Sequence, residues 1–436
     1  MAKKGRLFLV GILILVLVLF VAYRYVENDT FKSISKKSSK YPDTNTSLIT
    51  NGITDSAEYQ SVNKSFEQFV RKWELVGASV AIAKDGKLIY SRGFGFANRE
   101  EKIAMQPYNI LRVASVSKLI TATAVMKLLE SGKLSLDGKV FGKQGILSDT
   151  IFLNYKDKRI EDITVRHLLN HSAGWTSRWG DHMFIKDVVA RELNKNLPVS
   201  LNDIVVFALS KKLHFTPGNH SSYSNLGYAV LQLVIEKVSG VSYERFVQKA
   251  IFEPLNIHDA FLAQNWDSLR YRNEARYYEV PGAELVASFD GSKDSVLKSR
   301  GGNDVRTLGA AGGWVMSSIS LTKLVLAIDG GNSFPDIILK KSVSSMAYDD
   351  KHFQPLGWRW VLANGKLWRS GSLAGTTALA VSRSDGYTYV FIANTSPWKG
   401  ARFPYIIDRF MDKIIPKVDK LPRKDLFYYG LAGNSL

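Results

Sequence analysis

The sequence contains no cysteine, and histidine is scarce, with 7 among 436 residues. The first absence excludes disulfide bonds, catalysis by a thiol, cysteine-based zinc sites and the cysteine that a lipoprotein anchor requires. His167 and His171 are four residues apart, but no glutamate follows His167 and no third metal ligand is evident. We therefore predict no metal site and no cofactor.

Other familiar motifs are also missing. No Gly-x-Ser-x-Gly elbow occurs, which argues against an α/β-hydrolase, and Gly93-Phe94-Gly95 lacks the rest of a dinucleotide-binding fingerprint. The net charge is +18, yet the basic residues are dispersed and no nucleic-acid motif accompanies them. We predict no nucleic-acid partner. An anionic membrane or cell wall is the expected neighbour, because residues 1–40 hold eight basic and two acidic residues, a local net charge of +6.

The N-terminus contains one long apolar run. Three basic residues precede Leu7 to Tyr23, seventeen uninterrupted apolar residues at the short end of what spans a bilayer. A cleaved signal peptide is the alternative, but Ala22 is the sole small residue suited to a cut, and Phe20 stands two positions before it. The pattern favours an uncleaved, single-pass anchor, with everything after Arg24 outside the cytoplasm.

The rest of the chain has strands at both ends and helices between them. Residues 27–55 are polar and predict a tether, and apolar residues at helical spacing follow from Val62 to Trp73. Asp85-Gly86 joins two short strand-like runs and predicts a hairpin. The chain to about residue 300 is then mainly helical in pattern, and Ser384-Asp385-Gly386 predicts a second hairpin.

This order predicts an α/β (α+β) fold in which a mainly helical domain is inserted into a sheet domain. The predicted units are a cytoplasmic stub with a membrane anchor (1–26), a tether (27–55), a sheet domain (56–118 with 301–436) and a helical domain (119–300), with the functional site between the last two.

The first candidate site motif is Ser115-x-x-Lys118, which opens the apolar segment Leu119 to Leu129. Residues three apart share a helical face, so the ammonium can reach the hydroxyl, and a helix start stabilises negative charge. Both effects activate a serine nucleophile. The spacing by itself has little weight, because Ser-x-x-Lys also begins at Ser33, Ser61, Ser295, Ser320 and Ser396.

Two later motifs have the residue types that Ser115 needs. In Tyr223-Ser224-Asn225 the phenol can relay protons, and the amide can hold both a lysine and a substrate amide. An ordinary helix cap with a packed tyrosine is the alternative. In Arg369-Ser370-Gly371-Ser372 a cation and hydroxyls lie beside a glycine, at the end of a strand that could pair with an extended substrate. The alternative there is a charged edge strand.

In this order, the three motifs resemble those of the serine β-lactamase and penicillin-binding group, particularly class C β-lactamases and their D,D-peptidase, D-aminopeptidase and esterase relatives. The resemblance extends from about residue 77 to residue 396, and phrases between the motifs share it: Arg112 to Ser115, Ile163 to His171, Phe215 to Gly218 and Ala311 to Gly313. It implies a β-lactamase/transpeptidase-like fold, with an antiparallel sheet flanked by helices, and an envelope protein of a bacterial cytoplasmic membrane.

The resemblance also implies roles for the motif residues. Ser115 would be the acylated nucleophile, and Lys118 and Tyr223 would share the general acid and base steps. Asn225 would orient the acyl side chain, and the backbone N–H groups of Ser115 and Ser372 would form the oxyanion hole. The remaining motif residues, Arg369, Ser370 and Gly371, would contact the substrate. Arg369 departs from the family, which usually has lysine or histidine there, so substrate preferences transfer poorly.

Two functions remain open at this point. One is a membrane-anchored serine hydrolase that cleaves an amide or ester through an acyl-enzyme, as a D,D-peptidase, β-lactamase or esterase, on a small-molecule or peptide substrate that could derive from the cell wall. The other is a penicillin- or peptidoglycan-binding or sensor module without turnover. The intact set of Ser115, Lys118, Tyr223 and Asn225 favours the enzyme, since a binding module needs no proton-transfer groups.

Overall fold

The computed structural model describes residues 44–178, 180–350 and 352–430. The strands of this part of the chain are β1 Gly77–Lys84, β2 Lys87–Asn98, β3 Ile103–Ala104, β4 Leu111–Arg112, β5 Phe261–Leu262, β6 Trp314–Met316, β7 Trp360–Val361, β8 Leu367–Leu373, β9 Thr376–Ser382 and β10 Tyr387–Ala393. Seven of them form an antiparallel sheet in the order β3-β2-β1-β10-β9-β8-β7, and β4, β6 and β5 form a small second sheet.

Both predicted hairpins are confirmed. Asp85 and Gly86 have φ angles of 50° and 78°, the left-handed pair that a two-residue turn between twisted strands requires. Lys84 pairs with Lys87 directly across that turn. At the second hairpin, Thr388 pairs with Ser382.

Helices cover both faces of the large sheet. They are α1 Gln60–Lys72, α2 Ser117–Glu130, α3 Val165–Leu169, α4 Lys186–Glu192, α5 Leu201–Leu209, α6 Asn225–Ser239, α7 Tyr243–Val247, α8 Val305–Gly312, α9 Ser318–Leu326, α10 Lys340–Tyr348 and α11 Phe403–Val418. Successive residues of β1 face opposite sides. Val80 and Ile82 pack in a core with α1 and α11, whereas Ala81 and Ala83 pack in the larger core with α2 and α9. The prediction of an antiparallel sheet flanked by helices is confirmed.

Two predicted boundaries are wrong. The tether predicted for residues 27–55 cannot include residues 44–55, because Ile49 is fully buried and the Asn51 side chain donates to the Met105 carbonyl at 2.9 Å. The helical pattern predicted to about residue 300 ends at Phe252, and residues 253–304 are largely irregular. Backbone hydrogen bonds to the sheet region stabilise that stretch, as between Tyr278 N and Asn394 O.

The predicted anchor, Leu7 to Tyr23, lies outside the described residues. Within residues 44–178, 180–350 and 352–430, no helix combines the length and the apolarity needed to cross a bilayer.

Candidate active site

The candidate nucleophile lies in a strained turn against the sheet. Ser115 belongs to the short 3-10 turn Ala114–Val116, which leads directly into α2, and Ala114 has a φ angle of 48°. A non-glycine residue rarely adopts this left-handed conformation. Strand β8 passes so close that a Cβ on Gly371 would lie 2.3 Å from the Val113 carbonyl oxygen and 2.8 Å from the Ser115 nitrogen. Glycine is therefore required at position 371 for the strand to reach the serine.

Lys118 lies beneath this turn and is fully buried. Its ammonium donates to Asn225 Oδ1 at 2.7 Å, to the Ala311 carbonyl at 2.5 Å and to Ser115 Oγ at 3.3 Å. An ammonium has three donors, so each one has an acceptor. The structure thus brings together the first two predicted motifs around one buried charge.

The start of α6 holds the second motif. Ser224 caps the helix, and its own N–H donates to His171 Nδ1 at 3.2 Å. Tyr223, just before the cap, donates its hydroxyl to Ser115 Oγ at 2.7 Å. The His171 ring lies behind the Tyr223 ring at 4.6 Å between centroids, so it supports the tyrosine. The start of α6 therefore combines an ordinary helix cap at Ser224 with a tyrosine that is hydrogen-bonded to Ser115.

Asp181 is a site residue that sequence reasoning missed. Its Oδ2 accepts a hydrogen bond from Asn225 Nδ2 at 2.8 Å, which turns the amide oxygen of Asn225 toward Lys118. A substrate amide that uses Asn225 Nδ2 must therefore compete with this carboxylate. No local pattern marks Asp181, because it caps an unremarkable 3-10 turn 44 residues before Asn225.

Arg369, on β8, is 1% exposed and points at the same centre. Its Nε donates to the Ser115 carbonyl at 2.9 Å, and one Nη donates to the Tyr223 hydroxyl at 3.4 Å. The other Nη is buried and has no hydrogen-bond partner among the described residues. A buried, unsatisfied cationic donor favours an incoming acceptor.

Ser370 and Ser372 are half-buried on the same strand, and neither side chain makes a hydrogen bond with a residue that the structure describes. Strand β7 pairs with β8 only at Leu367 and Trp368. From Arg369 onward, no described strand pairs with that edge of β8, as expected for a site that accepts an extended substrate.

The electrostatics of the site follow from its burial. Burial lowers the pKa of the Lys118 ammonium to about 8. Burial alone would raise the pKa of the Tyr223 phenol, but the charges of Lys118 and Arg369 outweigh it and lower that pKa to about 8. Burial, with the charges of Lys118 and Arg369, holds the pKa of His171 well below its usual range, so this ring is neutral. The Lys118 and Tyr223 side chains therefore have similar pKa values close to neutral pH, which is what a pair of proton-transfer groups requires.

Another Ser-x-x-Lys copy differs in its burial and in its connections, because its serine is fully buried whereas Ser115 is half-buried. Ser320 and Lys323 are 2% and 1% exposed. The Ser320 hydroxyl donates to Asp259, and Lys323 Nζ donates to the Asn256 carbonyl at 3.3 Å. Ser115 differs from Ser320 because it accepts hydrogen bonds from Tyr223, through its hydroxyl, and from Arg369, through its carbonyl.

The sequence pattern of the Beta-lactamase family matches residues 62–407. The chain belongs to this family. The match includes all three motifs of the site, and the family assignment made from those motifs is confirmed.

Curated relatives match only part of this Beta-lactamase family chain. Protein flp of Staphylococcus aureus (strain N315) is 29% identical over 230 residues, which are 52% of this chain and 43% of that protein. The chain thus matches less than half of that relative's length.

Two solved structures are similar to more of the chain. The octameric penicillin-binding protein homologue from Pyrococcus abyssi is 25% identical with a TM-score of 0.60, covering 84% of this chain and 78% of its own. The D-amino acid amidase from Ochrobactrum anthropi SV3 is 19% identical with a TM-score of 0.64, covering 84% of this chain and 99% of its own. The amidase likeness shows the shared fold.

The lowered pKa of the Tyr223 phenol can be measured without a substrate. Ultraviolet difference titration should show one tyrosine ionising near pH 8, because Lys118 and Arg369 stabilise the Tyr223 phenolate. The transition should be lost in Tyr223→Phe and should move to higher pH in Lys118→Met. Tyr271→Phe, which changes the other Tyr-x-Asn copy, is the matched control and should keep the transition. A wild-type titration without any step below pH 9 would contradict the site electrostatics.

Proposed function

We propose that this member of the Beta-lactamase family is a serine hydrolase that cleaves an amide or ester bond through an acyl-enzyme on Ser115. One observation carries the proposal: Ser115 Oγ accepts hydrogen bonds from Tyr223 and Lys118, two groups whose pKa values are about 8. A serine nucleophile needs such a neighbour, because its hydroxyl is almost fully protonated at neutral pH.

In the proposed reaction, Ser115 Oγ attacks the substrate carbonyl carbon as its proton passes to the deprotonated Lys118–Tyr223 pair. The pair then gives that proton to the leaving amine or alcohol as the carbonyl–leaving group bond breaks. Water then attacks the ester so formed and gives a proton to the same pair. The pair passes that proton to Ser115 Oγ as the acyl carbon–Oγ bond breaks and the acid product leaves. The backbone N–H groups of Ser115 and Ser372 are the proposed oxyanion donors, because β8 lies directly against the serine turn.

The geometry supports turnover more than simple binding. A module that only binds peptidoglycan needs no buried ammonium, yet Lys118 is buried with all three donors directed at the site. Burial of a charge is costly unless its hydrogen bonds are satisfied, and two of the acceptors of Lys118 are the side chains of Ser115 and Asn225 in the candidate site. The proposed substrates are small molecules or peptides with an amide or ester bond. The similarity to an amidase and to a penicillin-binding protein homologue supports that range.

Covalent labelling tests the nucleophile. A fluorophosphonate should add one adduct to the intact mass of the protein, and Ser115→Ala should abolish it, because no other described serine accepts from both a lysine and a tyrosine. Ser320→Ala removes the other buried Ser-x-x-Lys hydroxyl and should leave the adduct in place. An adduct that persists in Ser115→Ala would refute the assignment. Parallel trials with a reporter penicillin, a chromogenic ester and a D-amino acid amide would separate the reaction types.

Arg369 is proposed to bind an anionic group of the substrate through its unpartnered Nη. A charge-assisted hydrogen bond contributes roughly 1.5 to 3 kcal/mol, so Arg369→Ala should lower kcat/KM for a carboxylate-bearing substrate about ten- to a hundredfold more than for a matched neutral ester. The neutral ester will also lose some rate, because Arg369 donates to the Ser115 carbonyl and lowers the pKa of Tyr223.

Arg369→Lys should recover part of the preference, since it restores the charge without the planar fork. If Arg369→Ala slows both substrates equally, the residue only supports the serine turn, and the carboxylate role is wrong.

The proposed location is the bacterial cytoplasmic membrane, with Leu7 to Tyr23 as an uncleaved anchor and the site outside the cytoplasm. External protease should release an active soluble fragment by cutting between residues 27 and 43, because residues 44–55 are packed on the body of the protein. Mature protein that begins near Tyr23 would instead show a cleaved signal peptide.

A further inference from the structure

The face of the sheet opposite α2 bears a basic groove. It runs between α1 and α11 with a volume of about 1050 Å³. Its apolar floor includes Phe69 and Phe410, whose rings stack at 4.2 Å, and Trp73 at one end. The proposed catalytic chemistry uses none of these residues.

Five cations line this groove: Lys72, Lys399, Arg409, Lys413 and Lys417. None of them forms an ion pair with another residue that the structure describes. The acidic residue of the lining, Asp412, is already neutralised, because its carboxylate pairs with Arg383 at 2.7 Å. The groove therefore presents net positive charge beside an apolar floor.

Exposed aromatic side chains continue this surface. Trp398 is 66% exposed, and the Lys399 ammonium lies 3.7 Å from its ring centroid. Trp73 lies next to it, with 6.1 Å between ring centroids. Tryptophan beside lysine is typical of surfaces that sit at the level of lipid headgroups, where one part of the side chain is apolar and the other is wet.

We propose that the basic groove, with Trp398 at its end, docks on an anionic phospholipid surface. Other occupants fit less well by charge. Residues 1–40 of the same chain carry a net charge of +6 and would be repelled, and a second copy would present the same positive groove. An anionic lipid supplies a phosphate for the cations and an acyl surface for Phe69, Trp73 and Trp398.

Docking in this way would orient the protein. The groove and the candidate active site use helices on opposite faces of the large sheet, α1 with α11 for the groove and α2 for the site. A bilayer on the groove would therefore contact the sheet face opposite the one that α2 covers. The inference goes beyond the proposed hydrolase activity and does not depend on it.

The absence of native cysteine allows a site-specific test on the full-length chain. Gln68 lines the groove, and Gln144 is exposed in the loop between α2 and α3, so Gln68→Cys and Gln144→Cys are matched labelling sites for an environment-sensitive dye. Each labelled protein is placed in nanodiscs of phosphatidylcholine with or without phosphatidylglycerol. The dye at position 68 should shift its emission to the blue only with phosphatidylglycerol, and the dye at 144 should not shift.

Charge variants make the test specific. Replacing Lys72, Lys413 and Lys417 with glutamine should lower the ratio of docked to undocked protein by on the order of a hundredfold, at about five- to sixfold per lysine. The same replacement at Lys143, Lys212 and Lys341, which are exposed elsewhere, changes the net charge equally and should leave docking intact. Circular dichroism and the melting temperature verify that each variant is folded.

Salt should weaken the shift, because the Debye length falls from about 8 Å at physiological ionic strength to about 3 Å at 1 M. Two outcomes would overturn the proposal. One is no difference between the two lipid compositions at position 68. The other is a shift with poly-glutamate but not with phosphatidylglycerol, which would make the groove a site for acidic polypeptides.

Discussion

The buried ammonium of Lys118 is the constraint on which the site depends. A charge removed from water is strongly destabilising unless each of its donors finds an acceptor. Lys118 meets that requirement with acceptors from three segments: Ser115 on the serine turn, Asn225 at the start of α6 and the Ala311 carbonyl in α8. The hydrogen bonds that make the burial tolerable therefore also fix the positions of these segments relative to one another. Burial then lowers the pKa of the ammonium toward neutrality, where it can exchange a proton.

Positive charges near Tyr223 explain why the pKa of its phenol is lowered. Arg369 contacts the phenol directly, and the guanidinium of Arg359 lies 5.2 Å from the ring centroid. These cations favour the phenolate, whereas Asp181 is the nearby carboxylate, joined to Lys118 through Asn225. Arg369 stands where the family usually has lysine or histidine, and one of its Nη atoms has no hydrogen-bond partner among the described residues. We propose that this donor gives the site a preference for anionic substrates.

The two faces of the large sheet pack against different helices. On one face, α2 starts at the serine turn and delivers Lys118 to the site. On the other, α1 and α11 pack Phe66, Phe69 and Phe410 against each other and expose the cations of the basic groove. Strand β8 joins the serine turn to the large sheet, because Gly371 contacts that turn while the strand pairs with β9.

Much of this could be predicted from the sequence. Turn residues located both hairpins: Asp85 and Gly86 both adopt the left-handed backbone of a two-residue turn, and in the second hairpin Gly386 adopts it. The three ordered motifs identified Ser115, Lys118, Tyr223, Asn225 and Arg369, and the structure brings these side chains together at one point. Local patterns were less reliable for residues 44–55 and 253–304, because polar, irregular segments can pack through backbone hydrogen bonds that leave no periodicity.

The sequence by itself determined the family and the residue types of the site, through the order of its motifs along the chain. The antiparallel sheet flanked by helices was implied by the family resemblance that those motifs carry. The tertiary structure alone decided that Tyr223 and Lys118 both reach the hydroxyl of the half-buried Ser115. It also recruited Asp181 from 44 residues away. It also left one Nη of Arg369 without a partner in the part of the chain that the structure describes. These outcomes depend on distances between segments remote in the chain, and burial and hydrogen bonding set those distances only once the whole fold has formed.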